Sequence, residues 1–368
     1  DTQPAWRALH KFTNRENWHT KKMLLFPFYQ AYGLWNGAVG YVNYLRHMPD
    51  YGYDTRAMMR EAVYNRAKGG KVDFILNTGD IMGQDGRRPA NWKMFLDEFY
   101  HDHPLLKEIP FVPTPGNHER CNDFSYGRKN FEAVYDYPLF YTVEFPSIDL
   151  FVVDSDVIVD WKDDQSDDVQ DSLFIRWFAS DDPDNPGWLE SELARSTKPF
   201  KVVSMHHCPF SYGYHWEDWY KPGFGKDAEH KRNKMVELFR KYRVQVVFSG
   251  HDHIYQHNIL RWQEGEVTPE KDIHFVVSSG GGTPLRNKLS EWRMNYLDRK
   301  YLGEGFPVET IRQDKVYHYC EVVVDDEKLQ ITTIEVPEKD PVNQTILEEI
   351  IIPSPSIKTK IEKNQTDG

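Results

Sequence analysis

Short apolar runs that stop abruptly in polar, glycine-containing turns dominate the chain. Val72–Asp80 (VDFILNTGD) predicts a buried strand ending near Thr78, and Ile109–Glu119 (IPFVPTPGNHE) a second ending near Pro113. Tyr141–Ser155 predicts a hairpin with Pro146 and Ser147 in its turn. Lys198–Pro209 (KPFKVVSMHHCP), Val244–His253 (VQVVFSGHDH) and Ile273–Gly282 (IHFVVSSGGG) predict three further strands. Val316–Val336 predicts an antiparallel hairpin turning at Asp325–Lys328. Helical periodicity fills the intervals: Thr55–Gly70 stops at Gly69 and Gly70, while Trp188–Ser196 and His230–Arg243 each precede a strand. Alternating helix and strand predicts a layered α/β domain over residues 1–340. An Asp-rich insertion, about 155–187, reads as a solvated surface loop, and 353–368 as a polar C-terminal tail.

Composition narrows the picture. Of 368 residues, 39% are hydrophobic and 14% aromatic, enough for a large core. The formal net charge of −12 argues against general attraction to nucleic acid or an anionic membrane. A small anionic substrate would need local positive charge. The cysteines, Cys121, Cys208 and Cys320, form no CxxC pair and no disulfide scaffold. No apolar run approaches the 18 or so residues of a membrane helix.

The chemistry gathers at the strand ends. Asp80, Asn117, His118, His206, His207, His251 and His253 all follow apolar runs, and ligands at carboxyl ends of strands meet at one edge of an α/β sheet. Carboxylate, amide oxygen and imidazoles without clustered thiolates suit Zn, Fe or Mn. There are more ligands than one ion needs, so two ions are the economical reading. Such a pair would stabilise both oxygens of a phosphoryl displacement and lower the pKa of bound water towards roughly 7.

Four of these segments resemble the calcineurin-like metallophosphoesterase family: Gly79-Asp80, Gly116-Asn117-His118-Glu119, His207-Cys208-Pro209 and Gly250-His251-Asp252-His253. The resemblance covers about residues 72–285, and GHDHIYQ with VSSGGGTPLR is most similar to purple-acid-phosphatase-like members. It implies a four-layer αββα sandwich of two mixed β-sheets flanked by helices. It implies that Asp80 bridges two ions, that Asn117, His207 and His251 complete one shell, and that His253 serves the other. His118 would be the general acid, and a metal-bridging hydroxide the in-line nucleophile. His206 reads separately as a neighbour behind the ligands and a weak candidate for substrate contact.

Two departures from that pattern matter. The tyrosine that purple acid phosphatases place three residues after the G-D aspartate is Gly83 here, so no ferric–tyrosinate colour is expected. No D-x-H precedes Asp80; the closest match is Asp1-Thr2-Gln3, which makes Asp1 a metal ligand and Gln3 a weaker one. An apolar strand upstream of Asp1 is then expected, with Ile346–Pro353 as a lesser substitute for it. A phosphomonoester is expected ahead of a diester, although the motifs do not separate the two, because the metals and hydroxide serve both. The aromatic loop after His207 offers Tyr212, His215 and Trp216 as substrate contacts, and Arg120 is the best available phosphate cation. The resemblance leans towards a secreted or periplasmic protein. A metallophosphoesterase fold kept as a non-catalytic binding module is the alternative, and the missing D-x-H histidine is its support.

Overall fold

The computed structural model describes residues 53–70, 72–81, 86–120, 126–159, 167–220, 225–262 and 271–355. Helix α1 (Tyr53–Gly69) leads into β1 (Ile75–Asn77), which pairs in parallel with β2 (Phe111–Pro113). Helices α2 (Pro89–Leu96) and α3 (Tyr126–Tyr135) flank β2 in sequence. The predicted hairpin is β3 (Tyr141–Glu144) and β4 (Ile148–Val152), closed where Phe145 N donates to Ile148 O. Helices α4 (Asp167–Trp177) and α5 (Trp188–Arg195) follow, then β5 (Phe200–Ser204), α6 (Ala228–Lys241) and β6 (Val246–Ser249). The chain continues through β7 (Tyr255–Leu260), β8 (Ile273–Ser278), α7 (Glu291–Gly303) and β9 (Val308–Asp314). It ends in β10 (His318–Val324), β11 (Lys328–Glu335) and β12 (Thr345–Pro353).

Seven strands form one mixed sheet in the order β3-β4-β5-β6-β8-β7-β9, with β4, β5, β6 and β8 mutually parallel. One face carries Phe151, Val203, Val247 and Phe275, buried against Phe174, Leu189, Leu193, Met235 and Phe239 of the helices. The other face, through Leu150, Val152, Val202, Val246 and Val276, packs on Val112 of β2, Leu329 and Ile331 of β11, and Ile350 and Ile352 of β12. The second layer therefore comes in two pieces, β1–β2 and the antiparallel β10–β11–β12. Outside it, Met59 and Ala62 of α1 pack on Val336, Tyr317 and Tyr319. This is the expected helix–sheet–sheet–helix order.

Three expectations are corrected. The acidic insertion is no solvated loop: Val157, Ile158 and Val159 are fully buried, Asp154 and Asp156 with them, and Phe174 and Phe178 of the α4 region enter the core. Its apolar residues, not its aspartates, decide its place; among the described residues of the insertion, 181–186 is the longest exposed stretch. Ile346–Pro353 is β12, paired to β11, and does not substitute for a strand beside β1. The tail begins later than 353, because Ser354 is buried and its N–H donates to Glu327 O. Residues 356–368, and whatever strand precedes Asp1, lie outside the described residues.

Strand β7 has no alternating pattern to betray it, since all six residues are buried although Gln256, His257 and Asn258 are polar. The polar side chains find partners across the sheet: Gln256 Nε2 and Asn258 Nδ2 donate to Phe210 O, Gln256 Oε1 accepts from Tyr212 N, and His257 Nδ1 lies 2.9 Å from Glu348 Oε1. The bonds to Phe210 and Tyr212 fasten the aromatic loop to the sheet beside the strand ends.

Candidate metal centre

Three loops at the carboxyl ends of β1, β2 and β6 converge with the segment after β5. Asp80 sits at φ 54° and follows Gly79 at φ 95°, where a Cβ would meet His206 Nδ1 at 2.5 Å. A side chain is thus excluded at Gly79 on two grounds, left-handed backbone and contact. At Gly116 a Cβ would lie 2.4 Å from Asp80 N, so the β1 and β2 loops touch only because that position is bare. Buried Glu119 clamps the same two loops, its Oε2 accepting from Asp80 N and Gly116 N, each at 2.8 Å. The Asp80 carboxylate in turn accepts from His118 N at 2.8 Å through Oδ1.

The ligand-type atoms meet around His206. Its Nε2 lies 3.1 Å from Asn117 Oδ1, 3.2 Å from Asp80 Oδ2 and 3.1 Å from His251 Nδ1. Its Nδ1 is 2.8 Å from Thr78 O, which fixes the ring so that Nε2 faces the cluster. Separations near 3 Å are those of neighbouring donors around an ion with bonds of about 2.0–2.2 Å, and the set is chemically apt. Asp80, His206 and His251 form one candidate cation group; His207, Asp218 and His251 form another.

The adjacent histidines are held differently. His207 Nδ1 is 2.8 Å from Ser155 Oγ, its backbone N–H donates to the same hydroxyl at 3.1 Å, and its ring lies 4.3 Å from that of His251. His206, expected only as a neighbour, holds the converging position. His253, at φ 54°, presents Nδ1 3.1 Å from Pro284 O, which turns its Nε2 edge away from that carbonyl. The His118 ring is partly exposed, with Nε2 3.7 Å from Asp80 Oδ2.

Electrostatics divide the histidines of the cluster, and burial holds His207 well below its ordinary value. Burial pushes the Asp80 carboxyl up, but His118, His206 and His251 outweigh it and hold it well below the carboxylate range. Burial pulls His206 down, yet the Asp80 carboxylate raises it to about 9. Burial pushes His251 and His253 each down to about 3, leaving them neutral, the form that ligates a cation.

The aromatic loop divides the remaining expectations. His215 stands at the site, its ring 4.0 Å from that of His251. Trp216 is half-buried against Tyr220 and Tyr296. Tyr212 is corrected: it is fully buried, and its hydroxyl donates to Asp298 Oδ1 at 2.7 Å, so it anchors the loop to α7 rather than meeting a substrate. Asp1, Gln3 and the Arg120 side chain lie outside the described residues. Sequence reasoning passed over Glu119, Ser155, Asp218 and Arg286. Arg286 donates from its backbone N to His253 O at 3.1 Å, and its guanidinium lies 4.8 Å over the Tyr214 ring. Glu119 had a signal as the fourth residue of GNHE, and Arg286 as the last of VSSGGGTPLR.

Comparison with known proteins gives the family and the fold. The protein named "Probable inactive purple acid phosphatase 27" of Arabidopsis thaliana is 24% identical over 236 residues, 57% of this chain and 35% of that one. "Purple acid phosphatase 7" of the same plant is 22% identical over 245 residues, 64% of this chain and 68% of that one. The structure of purple acid phosphatase PPD1 from yellow lupin (Lupinus luteus) seeds shares the fold, with a TM-score of 0.54 at 15% identity over 81% of this chain and 49% of that one. The chain spans 35% and 37% of the lengths of two such relatives, both named as inactive. Residues 46–255 match the model of one family, and by that match the chain belongs to the calcineurin-like phosphoesterases.

Proposed function

We propose that the protein is a metal-dependent phosphoric ester hydrolase with a binuclear centre, acting on a small phosphomonoester in preference to a diester. The observation behind this is the convergence of Asp80 Oδ2, Asn117 Oδ1 and His251 Nδ1 within 3.1–3.2 Å of His206 Nε2. Those four residues would hold one ion, and Asp80 and His253, with Asp1 and Gln3, would hold the other; Fe, Zn and Mn all suit such donors. Bound ions supply Lewis acidity and an activated water for in-line displacement. His118 holds a proton at Nε2 and delivers it to the leaving oxygen. Arg286 offers the positive charge that an anionic ester needs in a chain of net charge −12. His215 and Trp216 face the leaving group. Neither nucleic acid nor a membrane enters this proposal, and among the described residues no helix is long and apolar enough to cross a membrane.

The test is metal-reconstituted protein assayed on p-nitrophenyl phosphate and bis(p-nitrophenyl) phosphate. Two metal equivalents with faster monoester turnover are expected. In His118→Ala, metal content should persist while turnover falls most for poor leaving groups. At most one equivalent, with no turnover in Mn, Zn or Fe, overturns the proposal. That result supports a non-catalytic binding module, a reading favoured by the word "inactive" in the names of two relatives.

A further inference from the structure

We infer that Asp218 is a positioning residue that presents His251 to the metal pole and ties the aromatic loop to it. The inference rests on the hydrolase reading above. Asp218 lies on the 3-10 turn Trp216–Trp219, far in sequence from the strand ends, and is buried. Its Oδ2 is 2.8 Å from His251 Nε2 and 3.3 Å from His215 Nδ1. The other nitrogen of His251, Nδ1, is the one that faces His206 Nε2 at 3.1 Å. A neutral imidazole carries a single N–H. A carboxylate accepting at Nε2 places the proton there and leaves the Nδ1 lone pair directed at Asp80, Asn117 and His206. The same hydrogen bond fixes the ring orientation and raises the basicity of the donor nitrogen.

The second contact extends the role. His215 stacks 4.0 Å from His251, and one carboxylate oxygen lies near both imidazoles. Tyr212 and Gly213 are already fastened by Gln256 and Ser211, and Ser211 Oγ donates to Asp252 Oδ2 at 2.6 Å. Asp218 therefore closes a chain of contacts running from the loop that borders the substrate to a metal donor. The rival role, direct ligation, comes from Asp218, His207 and His251 presenting ligand atoms within 4.8 Å of one another. It requires Nε2 of His251 to ligate, whereas the richer donor set lies on the opposite edge of that ring.

The test compares Asp218→Asn and Asp218→Ala with the unmutated protein. Zn²⁺ affinity is read by competition with a chromogenic chelator, and near-ultraviolet circular dichroism reports folding. Asp218→Ala should keep the metal stoichiometry and weaken affinity by roughly 10–100-fold, as loss of such a partner typically does. Asp218→Asn, whose amide oxygen still accepts from Nε2, should weaken it by less, while KM for p-nitrophenyl phosphate rises in both. Unchanged affinity in folded Asp218→Ala overturns the inference. Loss of a full metal equivalent also overturns it, in favour of direct ligation. Should the alanine protein misfold, affinity in Asp218→Asn equal to that of the unmutated protein overturns it as well. Affinity is read without turnover, so an inactive but metal-loaded protein would refute the hydrolase reading and leave the Asp218 comparison decisive.

Discussion

Replacing Glu119 by alanine removes the carboxylate that holds the β1 and β2 loops against each other. Its Oε2 accepts from Asp80 N and Gly116 N at 2.8 Å, and the side chain is 1% exposed. A hydrogen bond to an ionised acceptor contributes ~1.5–3 kcal/mol, and two that share one oxygen add incompletely, so about 3–4 kcal/mol is at stake. A water entering the vacated space would recover part, which leaves a loss of about 2–4 kcal/mol. Glu119→Gln keeps the shape and an acceptor oxygen but not the charge, and charge-assisted bonds are about twice as strong as neutral ones, so roughly 1–2 kcal/mol is lost. Urea denaturation of metal-free protein measures both, provided the m-value stays constant. Because Asp80 N is one of the two donors, chelator competition should show weaker metal binding in the same order. A loss under about 1 kcal/mol in Glu119→Ala, or equal losses in the two variants, refutes the clamp.

Other expectations follow from the same geometry. His206→Ala should cost more metal affinity, roughly 100-fold or beyond, than His207→Ala, roughly tenfold or less; elemental analysis after dialysis decides, and the reverse order would restore the sequence-based assignment. Arg232 is fully buried, paired with Glu304, and lies over the Phe210, Tyr220 and Tyr301 rings. Arg232→Ala should therefore lower stability by about 3–5 kcal/mol in urea, and a loss near zero would show the pair to be idle. Burial pushes Glu348 up, but bonds from His257 and Tyr255 hold its carboxyl below the ordinary value. A depressed carboxyl contributes stability above its unfolded pKa of about 4.3, lost as pH falls through the lower folded value. The melting-temperature gap between the unmutated protein and Glu348→Gln should therefore shrink below about pH 4, and a gap independent of pH contradicts the assignment.

The strand ends were legible because apolar runs and glycine turns are local: Asp80, Asn117 and His251 each follow a glycine directly, and His253 lies two residues beyond His251. The choice between His206 and His207 was not. How each ring is held depends on a contact of His206 with Thr78 O, 128 positions away, and of His207 with Ser155. Strand β7 hid because Gln256 and Asn258 bond to the Phe210–Tyr212 backbone and His257 contacts Glu348, partners that no periodicity reveals. The acidic insertion misled because composition outweighed a short apolar triplet, Val157–Val159. Asp218 had no local signal: one aspartate among aromatics takes its meaning from a histidine 33 residues later.

Asp80, His251 and His253 account for three of the six non-glycine residues with positive φ among the described residues. Side chains with a branch at Cβ fit that backbone poorly, whereas asparagine, aspartate, histidine and glycine tolerate it. Inherited change at these three places is therefore channelled. A lineage that surrendered its ions would drift first to asparagine or glycine, retaining the outline of the cleft after the chemistry had gone.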